Sequence, residues 1–118
     1  MSIDTLLFAT LGPLVDGRAY PDVAAQGSEL PRIVHQQIAG MGLAYAEGTL
    51  PDNENVRVQV VTWGLARLEV TELAKRVEEA VLAAPGWQAE PLGGRTSIYE
   101  PETQRYGARQ DFSIWAPR

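Results

Sequence analysis

Cysteine is absent from the 118-residue sequence, and histidine occurs only once, at His35. The first absence excludes disulfide bonds, thiolate nucleophiles and sulfur-ligated metal sites, and it leaves no preference for an oxidising or a reducing compartment. A hydrolase triad would have to use His35 as its base. We interpret His35 as a hydrogen-bonded strand residue and keep a functional titrating group as the alternative.

Basic residues are also few. Lys75 is the only lysine, the arginines are scattered, and the formal net charge is −5. Binding to nucleic acid requires clustered Lys and Arg side chains that neutralise phosphates, and the sequence contains no such cluster. We therefore expect DNA to be repelled rather than bound.

Long apolar runs are missing as well. The longest apolar stretch near the start, LLFATLGPLV, is interrupted by Gly12 and Pro13, and no basic segment precedes it. This pattern predicts neither a signal peptide nor a membrane span, and it favours synthesis in the cytosol.

The residues that are present are typical of one folded domain. Apolar residues make up 45% of the chain and charged residues 21%, which is far from the composition of a disordered protein. The length is close to that of one domain. We therefore predict a single domain over residues 1–118.

Two helices are predicted. Ser2 is suited to cap a helix that runs to about Leu11, where a Gly-Pro pair breaks it. Residues 66–84 have one apolar and one charged face at helical spacing, and a Pro-Gly pair follows them. Each helix therefore has an apolar stripe that needs a sheet to cover it.

Alternating apolar residues and flanking turn residues predict strands in segments 18–22, 32–38, 55–63, 87–91, 96–100 and 105–115. PETQ is predicted to form the hairpin turn between the last two. This order predicts an α+β fold, an antiparallel four- to five-stranded sheet with two main helices packed on one face. The residues expected to be buried where the long helix crosses the sheet are Val58, Leu73, Val77, Phe112 and Ile114.

No motif points to chemistry. Gly40 and Gly42 lack the third glycine and the following helix of a dinucleotide loop. Neither a zinc-protease HExxH motif nor a calcium loop occurs, and paired acids such as Glu78 and Glu79 lie on a solvated helix face. We therefore predict no catalytic, cofactor-binding or metal-binding residues.

The connection over residues 39–55 is longer than ordinary strand connections. Glycine and proline interrupt regular structure there, yet the segment is too apolar for a loop that stays in water. We predict that it is an assembly element, mobile in the isolated subunit and ordered either by the strand face of a neighbouring subunit or by a partner protein. The predicted interface residues are Met41, Leu43, Tyr45, Leu50, Arg57 and Gln59. Trp63 and Trp115 share a strand face, and one of them is a further candidate anchor.

Four segments, in this order along the chain, also carry a resemblance to known proteins: LGPLVDGRAYPDVA, LPRIVHQQI, NVRVQVVTW followed by an alanine- and glutamate-rich helix, and SIYEPETQRYGARQDFSIW. The sequence resembles the bacteriophage tail-completion family, the small tail-terminator-like proteins of long-tailed phages. The resemblance covers essentially the whole length, and only the loop over residues 39–55 has no matching feature.

The resemblance implies a structural protein rather than an enzyme. It implies a homo-oligomeric ring, commonly of six subunits, that caps the head-proximal end of the tail tube and mediates head-tail joining. The implied partners are the tail tube protein and the head-tail connector protein, and DNA would pass through the lumen without specific binding. The implied location is the virion, after assembly in the host cytoplasm.

Size and composition are also compatible with a different class of protein. The alternative is a small ferredoxin-like α+β enzyme or ligand-binding domain that uses His35 and a pocket between helix and sheet. A native mass measurement separates the two, because a small enzyme is usually a monomer or a dimer.

Overall fold

The computed structural model of the chain describes residues 2–118. It contains two α-helices, α1 (Ile3–Leu11) and α2 (Arg67–Ala83), and a 3-10 turn at Gly12–Val15. The six strands are β1 (Ala19–Pro21), β2 (Arg32–Gln37), β3 (Asn53–Gly64), β4 (Gln88–Pro91), β5 (Thr96–Glu100) and β6 (Arg105–Pro117).

Helix α1 begins and ends where its sequence predicts. The Ser2 hydroxyl accepts a hydrogen bond from the Thr5 N–H over 3.2 Å, which satisfies one of the free donors of the first turn. Ile3, Leu7 and Leu11 form the buried stripe. After Leu11 the chain tightens into the 3-10 turn, because proline can begin a helical turn but cannot continue one.

The sheet has the strand order β1-β2-β3-β6-β4, and β5 also pairs with β6. All neighbouring strands are antiparallel except β1 and β2, which are parallel. The predicted α+β fold is confirmed, with six strands instead of four to five. The count is higher because β6, at 13 residues, is long enough to pair with both β4 and β5 along the same edge.

The core lies between this sheet and the two helices. All five residues predicted to fill it are buried, with exposed fractions of at most 3%. Alternation places Val58 of β3 and Phe112 of β6 on the helix side, where the two residues are also paired in register. Burial of each such side chain stabilises the fold by roughly 1.5–3 kcal/mol.

The other side of the sheet, which we call the open face, is not covered by either helix. Register pairs across the strands identify its residues, since paired residues point to the same side. They include Arg32, Val34 and Gln36 of β2, Arg57, Gln59, Val61 and Trp63 of β3, and Arg105, Arg109, Asp111, Ser113 and Trp115 of β6.

The molecule is elongated, with principal extents of 52 × 25 × 25 Å. Strands β3 and β6 form a two-stranded ribbon along the long axis. They pair from Asn53 and Pro117 at one end to Gly64 and Tyr106 at the other. The loop between β2 and β3 adjoins the first end, and the β5–β6 turn adjoins the second. Neither helix within residues 2–118 has the length and apolar character needed to cross a membrane.

Candidate assembly surfaces

His35 lies on the helix side of β2 and is only 2% exposed. Its ring borders a small cavity together with Asp4, Thr5, Phe8 and Pro21. Burial lowers the pKa of His35, and the charges of Asp4 and Asp22 oppose this only in part. The imidazole is therefore neutral near pH 7.

His35 lies in strand β2, as predicted, and its hydrogen bond is made by the backbone. The backbone carbonyl of His35 accepts a hydrogen bond from the Asp22 N–H over 2.8 Å, but its ring forms none with the part of the chain that the structure describes. Residues 2–118 also contain no group of three or more metal-ligating side chains placed to hold an ion.

The open face contains a groove of about 370 Å³. Val34, Val61 and Trp63 supply apolar lining, while the segment after β1 and the adjoining ends of β5 and β6 form its sides. Gly107 allows the Trp63 ring to lie across β6, since a Cβ atom at Gly107 would come within 2.9 Å of that ring. The small size of Gly107 therefore contributes to the shape of the groove.

Two guanidinium groups point into this groove. Arg32 donates from Nη1 to the Ser28 carbonyl oxygen over 3.0 Å and to the Ser28 hydroxyl over 3.1 Å. Its Nε is buried and finds no acceptor among residues 2–118. Burial lowers the pKa of Arg32, the Arg105 charge lowers it further, and Tyr20 and Glu100 act in the opposite direction.

Arg105 is partly buried, and its side chain forms neither a hydrogen bond nor an ion pair with any residue that the structure describes. The groove also has two carboxylates, Asp22 and Glu100. Glu100 accepts a hydrogen bond from the Thr103 hydroxyl over 2.6 Å. The groove is therefore lined by two cations, of which Arg105 has no side-chain hydrogen bond among residues 2–118, next to an apolar surface.

Arg57 and Gln59, which the sequence predicts as interface residues, both lie on the open face. Arg57 is ion-paired within the chain, since its Nη2 and Nε donate to Asp111 Oδ2 over 2.6 and 3.1 Å. Its charge is consequently compensated before any partner arrives. Gln59 is the next residue of β3 after Arg57 on the open face, and it lines the groove.

The loop between β2 and β3, which we call the arm, occupies residues 38–52. It is shorter than predicted because β3 begins at Asn53, where pairing with Pro117 extends the ribbon. Gly40 has φ of +131° and lies so close to Asn55 that a Cβ atom would be 2.5 Å from the Asn55 carbonyl oxygen. Only glycine fits that exit from β2 without strain.

The tip of the arm is a tight turn. The Tyr45 N–H donates to the Thr49 carbonyl oxygen over 2.8 Å, and the Gly48 N–H donates to the Tyr45 carbonyl oxygen over 2.9 Å. Met41, Tyr45 and Leu50 are each more than half exposed, and Leu43 is partly buried. The structure thus places the predicted apolar residues on a projecting arm, at the opposite end of the ribbon from the groove.

The sequence-based reasoning missed Arg67, which it assigned to the solvated face of the long helix. Arg67 instead donates to the carbonyl oxygens of Ile98 and Gly107 over 2.8 and 2.9 Å, and its guanidinium carbon lies 5.2 Å from the centroid of the Tyr106 ring. That reasoning also did not predict that Arg32 and Arg105 lie together in one groove. No sequence signal connects either set, because the members come from separate strands and a helix.

The two candidate tryptophan anchors lie on the open face, as predicted. Trp63 is partly buried in the groove, whereas Trp115 is 36% exposed near the arm end of the ribbon. Trp87 has a different role, because its indole N–H donates to the Val81 carbonyl oxygen within the core.

Comparisons with known proteins agree with this architecture. Among solved structures, the chain is similar to the gp17 protein of bacteriophage SPP1, with a TM-score of 0.55 and 16% sequence identity over 98% of this chain and 90% of that one. At this identity the similarity shows a shared fold. No curated protein matches the sequence. A family model described as tail completion protein gp17 matches residues 6–116, so the chain belongs to the tail completion protein gp17 family.

Proposed function

We propose that the protein is a non-enzymatic structural subunit that forms a ring at the head-proximal end of a phage tail tube and joins the tail to the head. Family membership supports the tail-completion role. The observation that carries the ring is the position of two different surfaces, the apolar arm and the open-face groove, at opposite ends of one ribbon.

Such an arrangement favours contacts between unlike surfaces. A contact in which one patch binds a different patch on the next copy repeats from subunit to subunit, and it closes into a ring when the rotation permits. Three of the arm's exposed side chains are large and apolar, and they gain most if a neighbouring copy covers them. We propose a ring of six subunits in the virion, assembled in the host cytoplasm.

The ring has two partners in this proposal. One side contacts the tail tube protein and the other contacts the head-tail connector protein. Each subunit has a net charge of −5, so a ring of these subunits repels phosphate and allows DNA to pass through its lumen without specific binding.

Native mass spectrometry of the purified chain, alone and mixed with tail tubes that lack it, tests the proposal. We expect a discrete closed oligomer and, by electron microscopy, extra density at one end of each tube. A chain that stays monomeric in both conditions and leaves the tube ends bare would exclude the ring.

A further inference from the structure

The guanidinium of Arg32 has a buried donor with no acceptor in residues 2–118, although a buried and unpaired donor destabilises a fold. Arg105 faces the same groove without a partner among those residues and adds a second positive charge. Planar guanidinium groups bind carboxylates well, through two parallel hydrogen bonds. The groove is therefore suited to a ligand that carries a carboxylate close to an apolar side chain.

The tip of the arm carries those two groups. Tyr45 is 56% exposed, and the exposed Glu47 follows it two residues later in the same tight turn. The Glu47 carboxylate is oriented by the Thr49 hydroxyl, which donates to it over 3.1 Å. Residues 39–52 contain no lysine and no arginine, so the arm brings only negative charge to the groove.

We propose that the turn at residues 45–49 of one copy docks into the open-face groove of the next copy. The Glu47 carboxylate binds Arg32 and Arg105, and the Tyr45 ring packs against Trp63. This inference rests on the proposed ring and specifies the contact that closes it.

In this structure the arm does not occupy the groove of its own chain, although it begins two residues after the groove residue Gln36. Ten residue steps of β3 separate Asn53, where the arm ends, from Trp63, which lines the groove, and at a rise of about 3.3 Å per residue this is roughly 33 Å. The groove is lined by no residue of the arm. The contact is therefore between copies.

Asp22 and Glu100 also line the groove and repel an approaching carboxylate. Glu100 is paired in register with Arg105, so the charges of the groove are mixed. Because Arg32 is partly desolvated, its interaction with a carboxylate is screened less than a surface ion pair.

Cysteine cross-linking tests this contact directly, because the chain has no cysteine of its own. A protein with Glu47→Cys is mixed with one carrying Arg105→Cys and treated with a bis-maleimide linker, because the Cα atoms of a paired Glu and Arg lie farther apart than a disulfide allows. The Arg105 side chain forms no hydrogen bond or ion pair within residues 2–118, so this change should spare the fold. The matched control replaces Arg105→Cys by Gln88→Cys, an exposed residue at the other end of the open face.

We expect a cross-linked dimer from the first mixture and little or none from the control. Glu47→Arg should also weaken the oligomer by about tenfold or more, as expected for reversing one charge of a close pair, while Glu79→Arg on the exposed side of α2 should not. Rings that form without the Glu47–Arg105 cross-link would overturn the docking and leave the ring standing. A chain that neither forms an oligomer nor binds tube ends would overturn both.

Discussion

Arg67, in the first turn of α2, donates from Nη2 to the carbonyl oxygen of Ile98 on β5 over 2.8 Å. The same guanidinium donates to Gly107 on β6 and lies over the Tyr106 ring. One side chain of the helix thus holds both strands of the β5–β6 hairpin, which is otherwise exposed along most of β5. The position of the hairpin therefore depends on this contact with helix α2 as well as on the hydrogen bonds between its own two strands.

Replacing Arg67 with alanine should loosen that hairpin. We expect a loss of about 1–3 kcal/mol in the free energy of unfolding, since two hydrogen bonds from a charged donor disappear. Faster amide hydrogen exchange at residues 96–109 should accompany it. Arg76→Ala, at an exposed position of the same helix, is the control. Equal amide exchange rates in the two variants would show that the hydrogen bonds between β5 and β6 are sufficient to position the hairpin.

Leu73→Ala should lower the free energy of unfolding by about 2–5 kcal/mol, because Leu73 is 1% exposed and its removal leaves a cavity between α2 and the sheet. Leu68→Ala removes the same atoms from a site that is 79% exposed, and it should change stability by about 0.5 kcal/mol or less. Urea denaturation of both variants gives the comparison. Similar losses at the two sites would contradict the packing described above.

The stability of the protein should fall as the pH drops below about 6.5, the usual pKa of histidine. Burial lowers the pKa of His35 in the folded state, so the unfolded chain binds a proton at a higher pH than the folded chain does. As the pH falls, proton binding therefore stabilises the unfolded state relative to the folded state. The charges of Asp4 and Asp22 reduce this effect without reversing it. His35→Gln should flatten the dependence of unfolding free energy on pH between about 7 and 5. An unchanged slope would mean that other groups cause it.

Deleting residues 42–50 should leave a folded monomer with cooperative melting, because the deletion spares both helices and all six strands. Ring formation and attachment to tail tubes should fail, because the exposed Tyr45 and its neighbours on the arm are lost. Circular dichroism melts and native mass spectrometry measure the two effects separately. Rings formed by the deletion variant would show that the arm is a tolerated insertion.

Local sequence patterns were sufficient for the elements and the core. Alternation in β3 and helical spacing in α2 placed Val58, Leu73 and Val77 on buried faces, and the structure confirms these positions. The Pro-Glu-Thr-Gln turn between β5 and β6 was predicted in the same way. These features depend on residues close to one another in the chain, where side-chain period and turn chemistry act directly.

The positions of the charged groups are different. The sequence predicted the apolar arm residues and the open-face position of Gln59. Only the tertiary structure showed that Arg57 forms an ion pair with Asp111 and that Arg32 and Arg105 face one groove. Those residues are 54 and 73 positions apart, respectively. Strand pairing brings them together, and which strands become neighbours depends on contacts between residues far apart in the chain.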